Sequence, residues 1–231
     1  MINTSETLAV QTIENFLTVD ETAQVTKVVD DQLATTGWVP AHPSEGLIPP
    51  GAAQEILSDA IDRAMPVIRR AFPSAAFAAP WLYHDLRPGD VIRSHVHGMG
   101  DPGDRPVRLA RVVFNLQDAE SGGEFYLDTS ASEELWTDRV AESDDVFAPG
   151  TRFVHEVTAT SGPVALDDVT ATRWVCRPPA GTTLVYGAQL IHGVTPVVAG
   201  RARKLITDLC AGPGTRPEAP QPHSRSPRAP H

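Results

Sequence analysis

The sequence predicts a mainly β domain of the jelly-roll type, a double-stranded β-helix, with helices at its N-terminal end. Two patterns carry that expectation. Before residue 80, apolar residues recur at helical spacing; from Pro80 onward the period falls to two in a series of short runs. Turns rich in Gly, Pro and Asp, such as "RPGD" and "DAESGG", separate those runs.

The elements follow in order. Ile13 to Leu17 reads as a short strand. Thr18 and Glu21 then stand at capping-box spacing, which starts a helix at Thr18. Val25, Val28, Val29 and Leu33 give that helix an apolar face, and Gly37 stops it. "GLIPPG" is a loop. A second helix is expected from Ala52 to about Phe72, burying Ile56, Ala60, Ile61, Ala64 and Ile68, with Pro66 able to kink or split it.

"WLYHDL", "DVIRSHVH", "VRLARVVFNLQ" and "GEFYLDT" then read as strands. An acidic, irregular stretch over about 128–150 reads as an insertion or lid, with a short helix around Glu133 to Val140. "TRFVHEVTA", "TRWVCRP", "TTLVYG" and "ARKLITDLC" resume the strand pattern. Residues 212–231 are rich in Pro, Arg and Ser with almost no apolar content, so a disordered tail is expected there. The organisation that results is one domain over 1–211, with a helical part at 1–79 and a jelly-roll core at 80–211. No internal repeat is visible.

Composition narrows the function classes. A formal net charge of -10 argues against a nucleic-acid partner, which needs clustered Lys and Arg. Lysine is scarce, and most of the basic charge is arginine. Cys176 and Cys210 stand at neither metal nor disulfide-scaffold spacing, which suits free thiols in a cytoplasmic protein. The N-terminus has no signal-peptide pattern, and no apolar run approaches the ~18 residues of a membrane span. The oligomeric state is open, a homodimer included.

His95 and His97 lie one residue apart on a strand, so both point to one face. Two imidazoles one pleat apart can reach the same ion. On residues alone, a metal half-site competes with two surface histidines beside a loop. The cupin pattern is half present: Gly89, His95 and His97 fit its opening, and Asp101 stands where its Glu belongs. Its second motif fails, because Pro179 and Gly181 are not followed by a histidine at the required spacing.

From about Ile13 to Cys210 the chain resembles the Fe(II)- and 2-oxoglutarate-dependent oxygenases, in their prolyl-4-hydroxylase-like branch. "ENFLTVDE" resembles the segment before that branch's first helix. "LRPGDVIRSHVH" resembles the strand carrying its first two metal ligands, and "NLQDAESGGE" the following hairpin. "PPAGTTLVYGAQLIHGVTPVVAGRARKLITDL" resembles the stretch with the last ligand, placing Gly181, His192, Pro196, Gly200 and a downstream arginine in line.

The resemblance implies an oxygenase that uses Fe(II), 2-oxoglutarate and dioxygen to hydroxylate a C–H bond of a small-molecule substrate. His95, His97 and His192 carry over as catalytic metal ligands. His97 stands where the branch has Asp or Glu, so the common two-His, one-carboxylate triad becomes three histidines. Asp101, Asp104 and Glu124 are the nearby carboxylates that could serve instead.

For the far carboxylate of 2-oxoglutarate, Arg203 is the expected partner and Arg201 the alternative. Both share a strand face, and Arg203 continues into Leu205, Thr207 and Leu209. Arg111 and Asn115 occupy co-substrate-facing places on an earlier strand, with Tyr83 and His84 as further pocket candidates. The competing function is a cupin-type three-histidine metalloprotein that does not use 2-oxoglutarate.

Overall fold

The computed structural model describes residues 1–97, 106–158, 162–178 and 181–212. The chain opens with α1 (Thr4–Leu8), β1 (Val10–Ile13), α2 (Val19–Thr36) and α3 (Gly51–Ile68). Strands β2 (Ala75–Ala78), β3 (Leu82–Leu86), β4 (Ile92–His95), β5 (Val107–Gln117), β6 (Ser121–Gly122) and β7 (Phe125–Thr129) follow. Next come β8 (Trp136–Val140), β9 (Arg152–Val154) and β10 (Thr172–Cys176). The last are β11 (Thr183–Gly187), β12 (Ile191–Val194), β13 (Val197–Ala199) and β14 (Ala202–Ala211).

The capping box forms as the spacing predicts. Glu21 N donates to Thr18 Oγ1 at 3.1 Å, and Thr18 N donates back to Glu21 Oε2 at 2.9 Å. Gly37 closes α2 in the left-handed region at φ 63°. Helix α3 ends at Ile68, short of the expected Phe72. Pro66 sits in its last turn and, having no N–H, leaves the Asp62 carbonyl without its i+4 donor.

Two sheets face each other. The major sheet runs β1-β11-β5-β14-β2, with β3 also pairing β14; the minor sheet runs β10-β7-β12-β4. The mainly β, jelly-roll expectation holds. The N-terminal part is not helical throughout, because β1 lies at the edge of the major sheet, antiparallel to β11. The acidic stretch also differs from expectation. In place of a helix it forms a single 3-10 turn, Glu133–Leu135, leading into β8, which pairs β9.

Alternation divides the major sheet into two faces. Val112, Phe114, Val185, Leu205 and Leu209 pack with Val25, Val29, Leu57 and Ile61 of the helices. Val113, Leu184, Tyr186 and Ala202 point the other way, toward Phe125, Leu127 and Val194 of the minor sheet. The site lies on this second, inter-sheet face. Among the described residues, no helix is long and apolar enough to cross a membrane. All but the first residue of the expected tail lies outside the described residues.

Candidate metal centre

His95 on β4 stands directly opposite His192 on β12. Val96 is held by a bridge to Val157, which carries the chain on to His97. The ring centroids are 4.1 Å apart for His95 and His192, 4.9 Å for His95 and His97, and 5.1 Å for His97 and His192. The ligand atoms of all three lie within 4.8 Å of one another. Nitrogens bound to one ion at ~2.1 Å sit at most ~4.2 Å apart, so ligation draws the three slightly together.

Backbone carbonyls fix two of the tautomers. His95 Nδ1 lies 3.0 Å from Arg93 O, and His192 Nδ1 lies 2.9 Å from Leu190 O. A carbonyl only accepts, so each Nδ1 carries the proton and each Nε2 keeps its lone pair. His192 is 3% exposed, and its Nε2 is buried with no hydrogen-bond partner among the described residues. An orphaned buried acceptor beside two more imidazoles fits a metal ion. Burial holds all three rings neutral. His95 is lowered, His192 is well below its ordinary value with help from its two neighbours, and His97 is pushed down to about 2 by burial and then by Arg111. Neutral imidazole is the ligating form.

Gly193, just after His192, is required by packing. A Cβ there would stand 2.3 Å from Tyr126 Oη and 2.5 Å from Ile92 O. The Tyr186 ring forms a wall 4.7 Å from the His192 ring.

Arg111 projects from β5 into this space. Its Nε donates to Asp208 Oδ1 at 2.9 Å, and its Nη1 donates to His97 Nε2 at 2.7 Å. A guanidinium has no acceptor, so His97 Nε2 is the acceptor of that bond. Asn115 shares the face of Arg111 and accepts from Lys204 Nζ at 2.8 Å. His84 lies in the field of Arg111 and Lys204, and burial is the main cause that lowers it to about 4.

The two arginines expected for the co-substrate are not brought to the histidines. Arg203 lies on the helix-facing side of β14. Its Nε donates to Tyr83 Oη at 2.8 Å, and its Nη2 pairs with Asp30 of α2. Arg201 holds buried Asp85 in a two-pronged pair at 2.9 and 2.7 Å. Tyr83 accordingly faces the helices and not the pocket. Glu124 bonds Arg177 and Thr195 and does not join the cluster. Asp101, Asp104 and Pro179 lie outside the described residues.

Besides Arg111, the cation on this inter-sheet face is Lys204, between Ala202 and Ile206. It is 3% exposed, and burial lowers its ammonium to about 8. Its signal in the sequence is rarity, since Lys27 is the only other lysine in the chain.

Solved structures with this arrangement of sheets share one fold. A prolyl-4-hydroxylase from Pseudomonas putida aligns with a TM-score of 0.56 at 15% identity, over 90% of this chain and 95% of that one. The chain has the prolyl-4-hydroxylase fold. A viral collagen prolyl hydroxylase from Paramecium Bursaria Chlorella virus-1, solved as a 2-oxoglutarate complex, aligns at 0.51 and 15%, covering 88% of this chain and 96% of that one. A prolyl hydroxylase from Trichoplax adhaerens, solved with a hypoxia inducible factor peptide fragment, aligns at 0.54 and 11%, over 88% and 84%. No protein-family model and no curated sequence matches the chain. His97, which the sequence resemblance puts in the place of a carboxylate, is the histidine that Arg111 bonds.

Proposed function

We propose that the protein is an Fe(II)- and 2-oxoglutarate-dependent oxygenase that hydroxylates a C–H bond of a small molecule. Substrate, dioxygen and 2-oxoglutarate are converted to hydroxylated product, succinate and carbon dioxide. The observation that carries this reading is the pairing of two features on facing sheets. Three neutral imidazoles converge on the minor-sheet side, and a buried ammonium, reached by the field of Asp118 but ion-paired with no carboxylate among the described residues, projects from the major sheet.

His95, His97 and His192 hold the metal, which when bound supplies the activation of dioxygen. Lys204 binds the far carboxylate of 2-oxoglutarate, with Asn115 orienting the ammonium. This reassigns the role expected of Arg203, whose side chain is committed to Asp30 and Tyr83. Tyr186, Phe125 and Leu127 exclude water from the pocket floor, which strengthens every charge interaction within it. Arg111 holds His97 through Nε2, and ligation of the metal by that nitrogen would replace this bond.

Anaerobic titration of 2-oxoglutarate into the Fe(II) protein tests the reading. A metal-to-ligand absorption band and, on admitting air, succinate formation are expected. Absence of both, with metal bound, would favour the cupin-type alternative, in which Lys204 has no role.

A further inference from the structure

The ladder between β5 and β14 shifts once between Arg203 and Lys204, runs regularly from there until Leu209 meets Ala110, and then slips so that Cys210 meets Arg108. The extra residue is Leu109, fully buried. A bulge of this kind resets the alternation of faces. Arg108, which would otherwise point to the helices, is turned to the face of Arg111 and Asp208.

Both arginines meet one carboxylate there. Arg111 Nε reaches Asp208 Oδ1 at 2.9 Å, and Arg108 Nε reaches Oδ2 at 3.0 Å. Each oxygen takes one Nε, so Asp208 neutralises one of the two cations. The Arg108 side chain is 44% exposed and the Arg111 side chain 20%, so the pair leads from solvent inward to His97.

The charge balance around this pair is unusual for the proposed chemistry. A common triad contributes one negative ligand, and three histidines contribute none. Lys204 is matched by the far carboxylate of 2-oxoglutarate. Among the described residues, Asp208 matches one arginine and no second carboxylate matches the other. At the inner end of the pair, where water screens Arg111 less than it does Arg108, excess positive charge is costly unless a ligand brings the opposite sign.

We propose that Arg108 and Arg111 form the binding site for a carboxylate of the substrate, which is therefore an organic acid; this rests on the oxygenase reading. A planar carboxylate suits paired guanidiniums better than a spherical anion does, because the N–H forks match its two oxygens. Ligation of metal by His97 Nε2 would also release the Nη1 donor of Arg111 toward that carboxylate.

The test uses protein loaded with Zn(II) and saturated with N-oxalylglycine, an unreactive stand-in for 2-oxoglutarate. A panel of fluorinated acids from fluoroacetate to 4-fluorobenzoate, each beside its neutral amide, is titrated and followed by fluorine NMR. At least one acid is expected to bind in preference to its amide. Arg108→Gln should weaken that acid roughly tenfold or more, the effect of a lost charge-assisted bond, and Arg108→Lys should recover part. Arg177→Gln, an exposed cation paired with Glu124, should change nothing.

Equal binding of acid and amide, no binding by any acid, or unchanged affinity in a folded Arg108→Gln would overturn the proposal. Binding of N-oxalylglycine is read separately as a rise in melting temperature. If it binds while the acids do not, the acid site falls and the oxygenase reading stands. If it does not bind while an acid binds through Arg108, the acid site stands and the oxygenase reading falls.

Discussion

Lys204 donates a hydrogen bond across the β14–β5 ladder to Asn115, Nζ to Oδ1 at 2.8 Å. Asn115 Nδ2 in turn donates to Asp118 Oδ1 at 2.9 Å, which fixes the amide so that its oxygen faces the ammonium. An amide oxygen answers a buried positive charge only in part. A ligand carboxylate placed here therefore gains more than it would at the surface.

Lys204→Met should abolish 2-oxoglutarate binding and leave metal binding intact. Losing one partner of a buried charge pair typically costs about 3–5 kcal/mol, which is roughly two to three decades of affinity. The ligand-free variant should melt no lower than the wild type. The lysine falls from 10.5 to about 8 on folding, which places an upper bound of ~3 kcal/mol on the strain relieved. Calorimetric melting and the anaerobic titration check the two halves. Undiminished 2-oxoglutarate affinity in Lys204→Met would remove the lysine from the site.

The affinity for 2-oxoglutarate should fall as pH rises through about 8, because the ammonium is lost there in the free protein. The linkage has a second face. The folded value lies below the unfolded one, so between about 8 and 10.5 the unfolded chain binds more protons and the ligand-free protein gains stability with pH. Lys204→Arg keeps its charge and should flatten the affinity profile. An affinity that stays level to pH 9.5 in the wild type would contradict the role.

His95→Ala and His192→Ala should each lose Fe(II) at micromolar metal, measured by anaerobic equilibrium dialysis. His97→Asp should retain Fe(II) and hold it at least as tightly, since a carboxylate adds a negative charge to an otherwise neutral ligand set. The new carboxylate would also pair with Arg111. Loss of Fe(II) in His97→Asp would count against His97 as a ligand.

Arg203→Met should lower stability and spare 2-oxoglutarate binding. It removes the pair with Asp30 and leaves the buried Tyr83 hydroxyl without its donor. An unsatisfied buried polar group costs about 1–3 kcal/mol. A melting temperature unchanged in Arg203→Met, together with weakened 2-oxoglutarate, would restore the arginine as the co-substrate partner.

Much of the architecture was legible, and the exceptions have physical causes. Capping-box spacing and a glycine stop located α2 because both act through local hydrogen bonds. His95 and His192, singled out by their motifs, stand opposite each other on neighbouring strands of the minor sheet, with His97 just past the end of β4. Alternation also grouped Arg201 and Arg203 with Leu205 and Leu209. What period two cannot tell is which of two apolar faces lies against the helices and which against the second sheet. Both faces of β14 mix apolar residues with charged ones, so Lys204 was hidden one residue from the arginine that drew attention. The bulge at Leu109 was equally unreadable, since nothing local marks where a long strand will slip. Glu133 to Val140 was read as a helix, yet its chain turns once and then pairs with β9.

The position of β14 in the major sheet has a consequence for synthesis. It pairs with β5 along most of its length and with β2 and β3 on its other side. Three strands made earlier thus wait for one made later. Between Ala78 and Ala202 the ribosome adds over a hundred residues, on the order of ten seconds at ~5–20 residues per second. Through that interval Val112 and Phe114 lack their neighbours Leu205 and Leu209, and the ladder groups of β5 are unpaired on that side. Nascent chains are therefore exposed to edge-to-edge association until Ala211 is free. The pocket appears in the same moment as the sheet, because Lys204 and Asp208 arrive on the strand that closes it.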